Sequence, residues 1–342
     1  MDKWAKGKAT DRDALFRETA ARRGLSPEIV EKDFWVCWTL RQVFALTGLP
    51  NIVFKGGTSL SKVFKIISRF SEDIDLVLNR HDLGFNNEND PANQPGTNLR
   101  GRTLESLKQT CHEVIANEFA PKLRAQIASV IGDDGGWSLT EDEMAPDADT
   151  LIFQYPAGVS IGGTEGYVRR VVKLELGCRG DQVPSENGSV TPYAAEVFPS
   201  QFDDAEVAVV VISPERTFWE KATILHREYY RAEAGKPASD RVFRHYDDVA
   251  MISRHERGTK AIEKNMDLLE QVAVHKQHFF REGPARYELA RKGTLRLCPS
   301  EQVRDALRRD YEKMREMYFG EAPDFDEVME TLKELESRIN DV

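Results

Sequence analysis

An α+β fold is predicted for this chain, a mixed sheet with flanking helices followed by an α-helical C-terminal domain. Three observations predict it. Short apolar strands alternate with helical segments through residue 212. From residue 213 onward the pattern is helical almost throughout. Between the first two strands, residues 55–76 read KGGTSLSKVFKIISRFSEDIDL, a glycine pair, a hydroxyl run, a short apolar stripe and an Asp-x-Asp. The expected division is 1–212, with N-terminal helices and the sheet, and 213–342, the helical domain.

The elements follow in order. Residues 11–22 and 27–46 read as helices; in the second, Ser26 suits the N-cap and Pro27 the first helical position, with Ile29, Val30, Phe34 and Val36 apolar. A strand over 51–54 leads into Gly56-Gly57. A helix over 59–68 places Leu60, Val63, Phe64 and Ile67 on one stripe. A strand over 73–78 puts Asp73 and Asp75 on one face and Ile74, Leu76 and Leu78 on the other. Residues 80–101 are polar and rich in Asn, Gly and Pro, a loop. A helix is expected over 103–129 and an acidic loop over 132–149. Strands are expected at 151–155, 167–176 and 207–212. Ser213-Pro214-Glu215 then opens a helix, and the later helical stretch breaks at 233–240, 281–284 and 319–325.

Composition narrows the function classes. The chain has 342 residues, 40% hydrophobic and 30% charged, which suits a well-cored globular protein. Its net charge of −10 argues against a protein that coats nucleic acid by overall charge, while leaving room for a local basic groove. No apolar run approaches a membrane span, and the N-terminal residues lack the apolar core of a signal peptide. The four cysteines are scattered without a CxxC pair, so neither zinc nor a disulfide framework is expected, and a cytoplasmic home is.

Chemistry concentrates in a few places. Two carboxylates side by side repel unless a cation lies between them, and an oxygen-only donor set suits magnesium or manganese. Glycines at a turn into a helix can present backbone N–H groups to phosphate. Gly56, Gly57, Thr58 and Ser59 with Asp73 and Asp75 therefore point to chemistry on a nucleoside triphosphate. Lys173 and Glu175 alternate with Val172, Leu174 and Leu176. They could supply a compact positive charge for phosphate and a third carboxylate; an ordinary half-buried strand with an exposed ion pair fits the same pattern. In the helix after Ser213, Phe218, Ala222 and Leu225 form the expected buried stripe, beside Glu220 and Lys221. Asp247 and Asp248 diverge on a helix and make a poor joint metal site. Phe34 and Trp35 read as core, with Glu31, Lys32 and Asp33 as braces. Residues 281–315 carry ten Lys and Arg against six Asp and Glu, either a groove for RNA phosphates or a solvated face.

GGTSLSK followed by RFSEDIDL resembles the signature of the nucleotidyltransferase superfamily that includes the polymerase-beta-like enzymes. More narrowly it is similar to the AbiEii/AbiGii toxins of bacterial type IV toxin–antitoxin and abortive-infection systems, to which the MenT group of toxins is related. The Lys-x-Glu at 173–175, the Glu-Lys pair at 220–221 and the Arg-His-Tyr-x-Asp ending at Asp248 resemble that family's later motifs, so the likeness spans roughly residues 30 to 250. It implies the nucleotidyltransferase fold, with Asp73, Asp75, Glu175 and Lys173 catalytic and with Asp73, Asp75 and Glu175 holding magnesium. It also implies that Gly56, Gly57, Thr58, Ser59, Lys62, Ser71, Lys221 and Asp248 contact the nucleotide. The activity implied is transfer of a nucleoside monophosphate from an NTP to an RNA, a tRNA 3′ end, with pyrophosphate release, by a monomer whose antitoxin is encoded nearby. Three alternatives stay open from sequence. One is nucleotidylation of a protein side chain on the antitoxin or a host factor. The others are NTP binding without chemistry and transfer of the terminal phosphate.

Overall fold

The computed structural model describes residues 1–142, 149–159 and 169–341. It forms two compact units, one made of Met1–Val63, Phe70–Asn89 and Glu105–Val211, the other of Phe64–Arg69, Asp90–Leu104 and Ile212–Val342.

The chain begins with α1 (Asp2–Lys6), α2 (Ala9–Arg23) and α3 (Pro27–Phe44). Ser26 caps α3 by accepting from the Ile29 N–H at 3.3 Å, with Pro27 at its start. Then come β1 (Ile52–Lys55), α4 (Gly56–Lys62) and β2 (Ile74–Leu78). Next, α5 (Thr97–Val114) continues through a π-helical turn (Ile115–Phe119) into α6 (Ala120–Ile131). β3 (Ser138–Glu141), β4 (Asp149–Gln154), β5 (Val171–Gly177), β6 (Ser185–Val190), α7 (Tyr193–Val197) and β7 (Val207–Ile212) complete the sheet region.

The seven strands lie in the order β3-β4-β5-β2-β1-β7-β6. β1 pairs antiparallel with β2 and parallel with β7; β2 pairs parallel with β5; β4 is antiparallel to both β3 and β5. The sheet is therefore mixed, and the α+β class is the one the sequence predicts. One face carries Leu151, Phe153, Val172, Leu174 and Ile74, all buried, against the aromatic side of α3. There Trp35 meets Trp38 edge-on at 5.4 Å and stacks on Tyr155 at 5.4 Å. Burying each such ring contributes about 1.5–3 kcal/mol, so this face anchors the strands that carry polar residues on the opposite side.

The second unit is helical: α8 (Pro214–Glu233), α9 (Phe243–Arg254), α10 (Glu256–Lys264), α11 (Asp267–Phe279), α12 (Arg304–Met314) and α13 (Phe325–Asp341). Ser213 accepts from the Arg216 N–H at 3.3 Å, and Glu215 in the first turn of α8 binds Arg257 at 2.8 Å and Lys260 at 3.0 Å. Burial works to raise the Glu215 carboxyl, but those two cations bring it down to about 2. Phe218, Ala222 and Leu225 are fully buried as expected.

Several expectations differ from the structure. The helix expected over 59–68 starts earlier and ends at Lys62, because Lys65 adopts the left-handed conformation, φ +55°, that halts a helix. The loop expected over 80–101 contains short 3-10 turns and the first residues of α5. The loop expected over 132–149 contains β3 and the start of β4; its residues 143–148 lie outside the described residues, as do 167 and 168 of the expected strand. β6 has no counterpart among the expected strands, and 280–303 is not helical but a run of 3-10 turns and irregular chain. Among the described residues no helix is long and apolar enough to cross a membrane.

Candidate active site

The polar face of the first unit's sheet is set by register. Lys55 of β1 pairs with Asp75 of β2, Asp75 with Glu175 of β5, and Glu175 with Thr150 of β4. Paired residues on neighbouring strands share a face, so these four form one row across the sheet. Lys173 lies on the same face two residues before Glu175, and its Nζ is 2.8 Å from Glu175 Oε1. Burial works to lower Lys173, but the Glu175 hydrogen bond and charge, joined by Asp73, hold its ammonium above the ordinary value.

Gly56 opens α4 directly beside Asp75. Its φ is +85°, and a Cβ there would stand 1.9 Å from Asp75 Oδ2. Both facts require glycine. Thr58 and Ser59 are fully buried, and their hydroxyls turn inward. Thr58 donates to the Asp73 carbonyl at 2.6 Å and lies 3.0 Å from Ser71 Oγ, while Ser59 donates to the Gly56 carbonyl at 2.9 Å. These bonds fix the loop backbone around Asp73 and Gly56. The half-buried Gly56, Gly57 and Ser71 stay at the surface of that loop.

Asp73 precedes β2. Its carboxyl is pushed up, first by burial and then by repulsion from Glu72 and Glu175, with Lys32 and Lys173 opposing. A carboxylate crowded by two others, next to Asp75, is the environment a hard divalent cation relieves, so the donor chemistry fits magnesium. Among the described residues, no group of three or more His, Cys, Asp or Glu is arranged to hold a metal ion. Glu175, beside Asp75 in the row, is paired with Lys173.

Lys62 does not reach this face. Its Nζ is 2.6 Å from Asp33 Oδ1 and 3.6 Å above the Tyr193 ring, and both charged side chains are buried. Burial works to lower Lys62, and Asp33 overrides it, so the ammonium stays charged and internal. Lys62 braces α4 against α3. Its neighbours on α3 do similar work. Glu31 accepts from the Val159 N–H at 3.1 Å, Lys32 pairs with Glu72 and donates to the Arg169 carbonyl at 3.0 Å, and Asp33 accepts from the Tyr193 N–H at 2.6 Å. A short stretch of one helix thereby fixes the Asp73 segment and the start of β5.

The second unit holds the other two expected residues. Lys221 of α8 lies 2.8 Å from Asp248 Oδ2 and 3.4 Å from His245 Nδ1. Asp248 also takes two bonds from Arg69, at 3.1 and 2.9 Å, and is fully buried. Burial works to raise Asp248, but Arg69 and then Lys221 hold it well below the usual carboxylate range. His245 is held well below its ordinary value by burial, then by Lys221 and Arg244, and is neutral. Asp248 thus lies inside a charge network of the second unit, bound by Arg69 and Lys221. Lys221 keeps only a sliver of surface, 9% of its side chain.

Three residues of consequence are absent from the set expected on sequence. Lys55 is legible there as the strand residue facing Asp75, once the antiparallel register is drawn. Glu72 and Arg69 lie inside RFSED, beside the aspartates that dominate the motif.

The family model for the nucleotidyl transferase AbiEii toxin of type IV toxin–antitoxin systems matches residues 39–331, well beyond the motif blocks ending near 250. No curated protein matches the chain. Among solved structures the chain is similar to MenT4, a nucleotidyltransferase toxin from Mycobacterium tuberculosis, with 16% identity, a TM-score of 0.45, and coverage of 94% of this chain and 98% of that one.

Proposed function

The chain belongs to the AbiEii nucleotidyl transferase toxin family of type IV toxin–antitoxin systems and is a nucleotidyltransferase; from that premise we propose that it transfers a nucleoside monophosphate from an NTP to the 3′-hydroxyl of an RNA, a tRNA end, in a magnesium-dependent reaction. The observation that carries the reading is the row Lys55–Asp75–Glu175, with Gly56 pressed against Asp75.

The acceptor oxygen attacks the α-phosphorus, the bond to the bridging oxygen of the β-phosphate breaks, and pyrophosphate leaves. Positioning and charge neutralisation dominate such transfers. Asp73 and Asp75 would hold the metal, magnesium or manganese. When bound, the metal neutralises triphosphate oxygens and orients the leaving pyrophosphate. The backbone of Gly56 and Gly57, with Ser71, lies against the leaving phosphates; Thr58 and Ser59 act through the loop they lock. Lys173 would part from Glu175 to neutralise phosphate, which would free Glu175 to accept the acceptor's proton and to serve as a third carboxylate ligand. A cognate antitoxin encoded nearby restrains the enzyme, which acts as a monomer in the cytoplasm.

The test supplies purified protein with magnesium, each labelled NTP in turn, a tRNA pool and a protein lysate. Label in RNA with stoichiometric pyrophosphate is the expected result. Label in protein, or release of a nucleoside diphosphate, would overturn the acceptor or the reaction type respectively.

A further inference from the structure

The second unit contains a cavity of about 350 Å³ that has no part in the nucleotide chemistry described above. The start of α5, the end of α11 and the turns after it line it, and its charges are uneven. Arg100, His278, Arg281 and Arg286 face it together with Glu282 and Glu288. Each of those carboxylates already has a cation. Glu282 pairs with Arg231, behind the cavity, and Glu288 with Arg286 at 2.5 Å. Arg281 is exposed and makes no ion pair among the described residues. Arg100 donates to the carbonyls of Pro91 at 3.1 Å and Gln94 at 3.0 Å, which fix its guanidinium without neutralising it. Thr97, the first residue of α5, also lines the cavity, and that helix has no acidic residue in its first turn to offset the positive end of its dipole.

A second observation points the same way. Arg286 holds a left-handed backbone conformation, φ +48°, which costs an arginine free energy and persists only when the surroundings impose it. His226 imposes it. Its Nε2 donates to the Arg286 carbonyl at 3.1 Å, and its Nδ1 accepts from the Arg296 N–H at 3.1 Å, which fixes the neutral tautomer. His278 is pulled below its ordinary value by burial and then by Arg100, and leaves the lining imidazole neutral beside the arginines. Two anchored arginine forks, Arg100 and Arg286, and the exposed Arg281 around a concave, polar space suit the oxygens of a phosphate.

The geometry points to a phosphodiester subsite: Arg281 and Arg286, with Arg100 in the same lining, grip the backbone of the acceptor RNA. This rests on the RNA acceptor argued above. A second cavity in the same unit supplies the contrast, because Glu312, Glu316, Glu321, Asp324 and Glu327 line it and repel a polyanion.

The experiment measures labelled-NMP transfer to tRNA, and binding of 3′-fluorescein tRNA by anisotropy across a salt series. Its subjects are wild type, Arg281→Glu, Arg281→Glu with Arg286→Ala, and Arg315→Glu as the same charge change beside the acidic cavity. The subsite predicts an RNA KM raised about tenfold or more in the two Arg281 variants. It also predicts a salt slope shallower by about one for each phosphate the variant no longer grips. The KM for NTP and the melting curve stay at wild-type values, and Arg315→Glu has no effect. A wild type that labels no RNA sinks the acceptor reading. A wild type that labels RNA, with Arg281 variants of unchanged RNA KM and salt slope, sinks the subsite alone.

Discussion

The charges on the sheet face of the first unit and those inside the second unit are the same residue types, lysines against carboxylates, and they differ in what satisfies them. On the sheet, Lys173 and Glu175 pair at 2.8 Å with 31% and 42% of their side chains exposed, and Asp73 is crowded by two other carboxylates. In the second unit, Asp248 is fully buried between Arg69 and Lys221, which meet every one of its demands. An exposed, partly frustrated set can exchange its partners for a ligand. A buried, saturated set cannot, because removing any member strands a charge in a poor dielectric. Burial and saturation thus separate an exchangeable set of charges from a fixed one, although sequence motifs enrol both.

The largest expected effect breaks the comparison if it fails. Asp75→Ala lowers transfer about 10³-fold or more and leaves the urea unfolding free energy within about 1 kcal/mol of wild type. A variant that transfers at the wild-type rate would remove the sheet face from the chemistry. Asp248→Ala reverses the pattern. It strands Arg69 and Lys221 and costs about 3–5 kcal/mol of stability, read as a lower urea midpoint. The sign with pH follows from the depressed carboxyl: the stabilisation from Asp248 is complete above its unfolded value of about 3.9, and is lost as pH falls below that toward the folded value. An unchanged midpoint at pH 7 would mean that the buried network is not structural.

How far the sequence disclosed this depends on whether side-chain alternation carried the signal. Asp73, Asp75, Lys173 and Glu175 were legible because each alternates with buried Ile, Val or Leu, and period-two patterns assign a face. β3 and β6 were not legible because they are the two edges of the sheet. Ser185–Val190 has one fully buried residue and β3 has one, so neither shows an apolar run. Edge strands are kept polar in this way to discourage pairing with other chains. The helix expected to reach residue 68 failed at Lys65, whose left-handed backbone no periodicity records. Lys62 and Asp248 fit the motif pattern of ligand contacts. Their burial against Asp33 and Arg69 is a property of packing that a motif does not encode.

Asp247 sharpens the comparison from within the second unit. Unlike its neighbour, it has no strong cation to answer its burial, and burial together with the Asp248 charge pushes it up to about 6. Its folded value lies above the unfolded one, so ionising it destabilises the fold. The penalty is absent below about pH 4, grows as pH rises through 6, and is complete at pH 8. Asp247→Asn removes it, and stability rises by about 1–3 kcal/mol at pH 8 with no gain at pH 3.5. Urea titrations at the two pH values check this; an equal gain at both would show that charge is not the cause.

The smallest stability effect belongs to Lys173, and it isolates what the exposed face is for. Lys173→Met breaks the ion pair with Glu175, yet both groups are open to water and salt, so the unfolding free energy moves by less than about 1 kcal/mol. If the pair exists to be exchanged, the loss appears elsewhere: the KM for NTP rises about tenfold, equivalent to about 1.4 kcal/mol of lost binding. The matching change in the second unit, Lys221→Met, leaves Asp248 with Arg69 alone and lowers stability measurably at the same pH. Steady-state kinetics and urea unfolding on the two variants place each lysine on one side of the comparison. A Lys173→Met protein that loses stability and keeps its NTP KM would move Lys173 to the structural side and leave Asp73 and Asp75 as the only charges of the face that meet the nucleotide.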